Sequence, residues 1–107
     1  MTVEDYLALH IDLCDRAREI TKAKGHDYSG TADTLANLKA VEAFGLCSAE
    51  KGVLVRLCDK FKRLGRLVGD GAEPMVKDES VEDTILDMIN YLLLLAALRK
   101  EKADAEA

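Results

Sequence analysis

The chain is poor in most of the features that mark a specialised fold. It has one proline and seven glycines in 107 residues, no tryptophan, and aromatics at only 5%. So little glycine and proline excludes a loop-rich or collagen-like chain, and so few aromatics argue against a β-sandwich, whose strands favour them. Three cysteines, Cys14, Cys47 and Cys58, are an odd number without CxxC spacing. They imply neither a zinc site nor a disulfide framework, and are read as small buried hydrophobes in a reducing compartment. Positive charge is also short: 15 Lys and Arg stand against 20 Asp and Glu, a net charge of -5. That balance excludes broad, non-specific binding of duplex nucleic acid, which needs a basic face. The longest apolar run, Tyr91 to Leu98, falls far short of the ~20 residues that span a bilayer. The N-terminus, MTVEDYLALH, carries acids where a secretion signal needs a basic region. A cytoplasmic protein without membrane contact is expected. There is no GxxxxGK[ST] loop and no GxGxxG after a strand, so Walker and Rossmann nucleotide sites are excluded.

What the chain does have is apolar residues at 49%, dominated by Leu and Ala, at a length that fits one domain over residues 1–107. The expected class is all-α, a four-helix bundle-like protomer with helices at about 3–24, 32–44, 49–68 and 81–102. In the first, Leu7, Ile11, Cys14, Ala17 and Ile20 follow helical spacing, Thr2 and Asp5 can form a capping box, and Gly25 can end it. Gly45 is the expected stop of the second helix. Ser48 opens the third, where Leu54, Leu57, Cys58, Phe61, Leu64 and Val68 form one apolar stripe. Arg56, Asp59, Lys60 and Arg63 lie away from its centre. Ser80, with Asp83 three residues on, repeats the capping-box signal at the fourth.

The fourth helix is the most informative. From Ile85 to Leu98 it is apolar on nearly every side, so it should lie inside a bundle or against a second subunit. Asp87 and Asn90 interrupt it, and with Asp83 they share one face at i, i+4 and i+7. A carboxylate buried without a partner costs several kcal/mol, so Asp87 requires a cation, a metal or several donors. The third helix supplies cations at Lys51, Arg56, Lys60, Lys62, Arg63 and Arg66. One reading is ion pairing across the helices that fixes their register. The other is a phosphate site, with Arg56, Lys60 and Lys24 on the phosphates. In that reading Asp59, Asp83 and Asp87 hold Mg2+ or Mn2+, and Glu79 is a possible outer ligand. The loop Lys24-Gly25-His26-Asp27-Tyr28-Ser29-Gly30 adds groups suited to a nucleotide: Lys24 or His26 for phosphate and Tyr28 for stacking on a base.

The order KGHDYSG, Asn37, RLCDKFKRL and DESVEDTILDMINYLLL resembles the nucleotide-modification-associated domain found in many phage proteins. That domain is itself similar to the all-α nucleoside triphosphate pyrophosphohydrolases, the MazG and dimeric dUTPase group. The resemblance covers roughly residues 24–95. It implies a helical homodimer or higher oligomer that cleaves a nucleotide between its α- and β-phosphates with Mg2+ and releases pyrophosphate. A phage-encoded chain would act in the bacterial host cytoplasm. Asp59, Asp83 and Asp87 would be the catalytic acids, and Tyr28, Asn37 and Asn90 would contact base or sugar. The chain departs from the enzymes at two points, since Arg56 and Thr84 stand where they carry acids. Three functions follow as expectations: a pyrophosphohydrolase, a non-catalytic nucleotide-binding protein of the same fold, or a structural helical oligomer. Self-association as a dimer or tetramer also follows from the fourth helix, which one short chain has few helices to cover.

Overall fold

A computed structural model describes residues 1–27, 33–70 and 80–107. They form four α-helices and no strand: α1 (Val3–Asp27), α2 (Ala36–Ala43), α3 (Ala49–Leu64), which runs on into a π-helical turn (Gly65–Gly69), and α4 (Val81–Glu106). The all-α, four-helix class expected from the sequence is therefore the observed one. None of these helices is long and apolar enough to cross a membrane.

Local chemistry explains most of the helix ends. At α1 the Asp5 amide donates to Thr2 Oγ1 at 3.0 Å and the Thr2 amide to Asp5 Oδ2 at 3.4 Å, the reciprocal pair of a capping box. The helix does not stop at Gly25 but continues to Asp27, since glycine tolerates helical φ and ψ at a cost of only ~1 kcal/mol. α2 starts at Ala36, later than the sequence suggests. Asp33 holds the preceding turn, with its carboxylate accepting from the Leu35 amide at 2.9 Å and its carbonyl from Ala36 at 3.2 Å. Gly45 ends α2 as expected. Its φ of +74° allows the Leu46 amide to reach the Val41 carbonyl and its own amide to reach Glu42, both at 2.9 Å. Ser48 caps α3 by accepting from the Lys51 amide.

α3 and α4 run antiparallel. Arg63 meets Thr84 and Asp87 near one end of the pair, and Glu50 meets Arg99 near the other. The apolar core lies toward the second end. Leu35 and Leu38 from the α2 region, Ala49 and Val53 from α3, and Leu98 from α4 are buried together, with Leu57, Tyr91, Leu94 and Leu95 packed against them. α2 sits close on α3, where Gly52 lies against Val41; a Cβ there would come within 3.1 Å of it. α1 packs on α4 around the buried Ala17, whose carbonyl accepts from Asn90 Nδ2 at 3.0 Å.

The orientation of α3 decides which of its residues meet α4. Its inner face is Ala49, Val53, Leu57, Lys60, Arg63 and Leu64, whereas Leu54, Cys58, Phe61 and Val68 face outward, with Phe61 69% exposed. The apolar stripe is therefore split, with Leu57 and Leu64 turned into the protomer and Leu54, Cys58, Phe61 and Val68 turned out of it. Lys60 and Arg63 also turn inward, because α4 offers them a carboxylate and a hydroxyl. The cysteines need a correction. All three are free, but Cys58 is exposed and Cys14 and Cys47 are only half-buried. Cys14 Sγ lies 3.7 Å from His10 Nδ1 on the next turn. On α4, Leu86 and Leu98 are buried, while Leu92 and Leu93 remain open, so the protomer covers one side of this helix and leaves the other.

Candidate functional site

The polar cluster at the α3–α4 contact is built from four side chains. Spacing of three residues on each helix, Lys60 and Arg63 against Thr84 and Asp87, puts both pairs on facing turns. Arg63 Nε donates to Thr84 Oγ1 at 2.8 Å, and Arg63 Nη2 lies 3.4 Å from Asp87 Oδ2. Lys60 Nζ is 3.6 Å from the same oxygen. The Thr84 hydroxyl is fully buried and donates its own proton to the Ser80 carbonyl at 2.8 Å. These side chains keep only 17–24% of their surface at Arg63, Asp87 and Lys60, so their attraction is less screened than that of surface pairs. Among the described residues, no buried side-chain nitrogen or oxygen lacks a partner. The requirement that Asp87 have a partner is thus met by two cations.

One turn earlier, Asp83 is committed elsewhere. Its Oδ2 accepts from the Ser80 hydroxyl at 2.6 Å and from the Ser80 amide at 3.3 Å, while the Asp83 amide donates to Ser80 Oγ at 3.1 Å. The capping box expected from the sequence is complete. Asp59 neighbours Lys60 in sequence, but it lies on the exposed side of α3. The three acids therefore do not converge in the protomer. No group of three or more His, Cys, Asp and Glu that could hold a metal ion occurs among the described residues. The described donors, taken by themselves, do not fit Mg2+: Asp87 is faced by two cations, Asp83 is held by Ser80, and Asp59 is turned to solvent.

The remaining expected positions are scattered. Arg56 is exposed on α3, one turn before Lys60, and Lys24 is exposed near the end of α1. Asn37 is exposed on α2, and Asn90 faces α1 rather than α3, through its bond to Ala17. The His26 side chain, Tyr28 and Glu79 lie outside the described residues. Two members of the cluster were not among the expected site residues, Arg63 and Thr84. The matched i, i+3 spacing on two helices was the available signal, but reading it required knowing which face of α3 meets α4.

Around the cluster, ion pairs tie the outer elements to α4. Arg16 of α1 meets Glu82 at 2.9 Å. Their hydrogen bond, helped by direct charge attraction, holds the Glu82 carboxyl below its ordinary range and the Arg16 guanidinium above its own. Lys39 of α2 bridges Glu101 and Asp33. Hydrogen bonding to both raises the lysine, and hydrogen bonds from Lys39 and the Leu35 amide lower the Asp33 carboxyl. A groove of about 320 Å³ runs between α1 and α4, lined by Cys14, Arg18, Thr21, Asn90 and leucine and isoleucine side chains. It is separate from the Arg63 cluster and mainly apolar.

Compared with known families, curated proteins and solved structures, the chain matches no family, no curated protein and no solved structure.

Proposed function

We propose that the protein binds a nucleotide in the manner of the all-α nucleoside triphosphate pyrophosphohydrolases, with its phosphates received at the α3–α4 contact. The observation that carries this reading is the convergence of Lys60 and Arg63 on the single carboxylate of Asp87. Lys60 and Arg63 place two cationic side chains side by side, and Arg56 stands one turn before Lys60 on α3. Phosphate oxygens accept charge-assisted hydrogen bonds from such groups, and a guanidinium does so in a bidentate fashion. Arg63 and Lys60 would turn from Asp87 toward the ligand, and Asp87 would hold them in place when no ligand is bound. The order of motifs along the chain supports a nucleotide as the source of the phosphate, with Lys24, His26, Tyr28 and Asn37 as the residues to test for contacts to phosphate, base or sugar.

Hydrolysis to release pyrophosphate is the specific activity to test. A panel of NTPs and dNTPs with Mg2+ or Mn2+ would read pyrophosphate release and the melting temperature together. A ligand that raises the melting temperature without turnover supports binding alone. Turnover lost in Asp87→Asn supports catalysis. No turnover and no shift with any nucleotide or metal sinks the nucleotide reading.

A second reading is favoured by one observation: no buried side-chain nitrogen or oxygen among the described residues, the Thr84 hydroxyl included, lacks a partner. On that reading the cluster fixes the register of α3 against α4 in a structural helical oligomer. Self-association belongs to both readings, because α3 and α4 each leave apolar side chains uncovered.

A further inference from the structure

α3 is the most strongly amphipathic of the four helices, yet Leu54, Val55, Cys58 and Phe61 on it face away from the protomer. The outward positions Leu54, Cys58, Phe61 and Gly65 are spaced by four, three and four residues, the alternation of a coiled-coil seam, and the exposed Val68 follows in the π-helical turn. Large residues occupy one set of positions (Leu54, Phe61, Val68) and small ones the other (Cys58, Gly65). Among the described residues nothing calls for a glycine at position 65: its φ is −57°, ordinary helical backbone, and a Cβ added there would meet none of them within 4 Å. Glycine is the weakest helix former after proline, so its place on the seam is explained by close approach from outside.

We propose that this seam pairs, antiparallel, with the same seam of a second copy of the chain. The proposal rests on the self-association proposed above and specifies its face and register; it is independent of the nucleotide reading. In antiparallel pairing the two kinds of seam position share each layer. Phe61 then lies against Cys58 of the other copy, and Leu54 against its Gly65, large on small in both directions. Asp59 and Lys62 flank the seam on the same side, and this register sets Asp59 of one copy beside Lys62 of the other. Neither has an ion-pair partner among the described residues, so the charges are complementary. The area is adequate. Leu54, Val55, Phe61 and Val68 are 50%, 61%, 69% and 67% exposed, roughly 500 Å² of apolar surface, where a standard interface takes about 800 Å² per partner with a little over half of it apolar.

Sedimentation of the full chain at micromolar concentration tests this with three variants. The wild type should be a dimer. Phe61→Glu should raise the dissociation constant at least about 100-fold, and Gly65→Leu at least about tenfold, both with unchanged helical circular dichroism. Leu93→Glu, which charges the exposed side of α4 instead, should leave the dimer intact. A wild-type monomer overturns both the seam and self-association. A wild-type dimer that survives Phe61→Glu, or that Leu93→Glu dissociates, leaves self-association standing and overturns the seam. If Phe61→Glu does not fold, Phe61→Cys in a Cys14→Ser, Cys47→Ser background takes its place. Under a mild oxidant its new thiol should cross-link to Cys58 of the other copy and give a covalent dimer; absence of that dimer overturns the register.

Discussion

The two sides of α3 have solved opposite problems. Toward its C-terminal end the inner side carries charge, Lys60 and Arg63, which meet Thr84 and Asp87, while Ala49, Val53 and Leu57 on the same side join the core. The outer side carries apolar groups, Leu54, Phe61 and Val68, and none of them is covered. At the Lys60–Arg63 end, a rule that puts oil inside and charge outside would assign these sides the other way round. The difference teaches that a helix face is chosen by what the neighbour offers. α4 presents a hydroxyl and a carboxylate at this height, and satisfying them is worth more than burying one more leucine. Leaving a buried donor or carboxylate unpaired costs several kcal/mol, against about 2 kcal/mol for exposing a leucine.

The sharpest way to break the comparison is to remove the acceptor. Asp87→Leu leaves Lys60 and Arg63 facing an apolar side chain, and should cost about 3 kcal/mol in chemical denaturation. Replacing Lys60, Arg63 and Asp87 together by methionine should recover most of that loss, since a fully apolar contact leaves no charge unpaired. The outer side should behave differently. Below its association range, Phe61→Glu should change the unfolding free energy of the protomer by less than about 0.5 kcal/mol.

Next in size is Thr84→Val, which keeps the shape of a fully buried side chain and deletes one hydroxyl. That hydroxyl accepts from Arg63 and donates to Ser80, so about 1–2 kcal/mol should be lost. Ser80→Ala removes the capping box at the start of α4 and should cost about 1 kcal/mol by the same measurement.

The smallest effect is in the pH profile. The Glu82 carboxyl is lowered in the folded chain by its hydrogen bond to Arg16. Its contribution is therefore fully present above the ordinary value of 4.5 and is lost as pH falls through the lowered one. Glu82→Gln should flatten the stability profile below about pH 4.5, leaving the part that Asp33, lowered by Lys39, still supplies. Both Arg16 and Glu82 are well exposed, so added salt should shrink the same effect.

The features that sequence reading recovered are the local ones. The boxes at Thr2 and Ser80, the cap at Ser48 and the glycine stop at Gly45 each depend on a few neighbouring residues, and each forms as expected. The requirement that Asp87 be partnered was also legible, because it follows from the apolar helix around it. The orientation of α3 was not. Its stripe is periodic on one side and its cations on another, and periodicity alone does not say which side meets α4. For the same reason Asp59 was grouped with Asp83 and Asp87, although the turn that brings Lys60 to Asp87 carries Asp59 out to solvent. Asn90 shares a helix face with Asp87 by spacing, yet it ends on the Ala17 carbonyl because α1, and not α3, covers that part of α4.

In the proposed function, the cations held by Asp87 are the ones a ligand phosphate would take. Arg63 Nε–H, fixed on the Thr84 hydroxyl at 2.8 Å, is a direct reporter of it. Nitrogen-15 spectra of the full chain should show this side-chain resonance protected from exchange, and titration with nucleoside triphosphates should shift it together with the Lys60 backbone amide. A resonance that stays in place across the whole panel of nucleotides would contradict the claim, and would leave the cluster as a device for holding α3 and α4 in register.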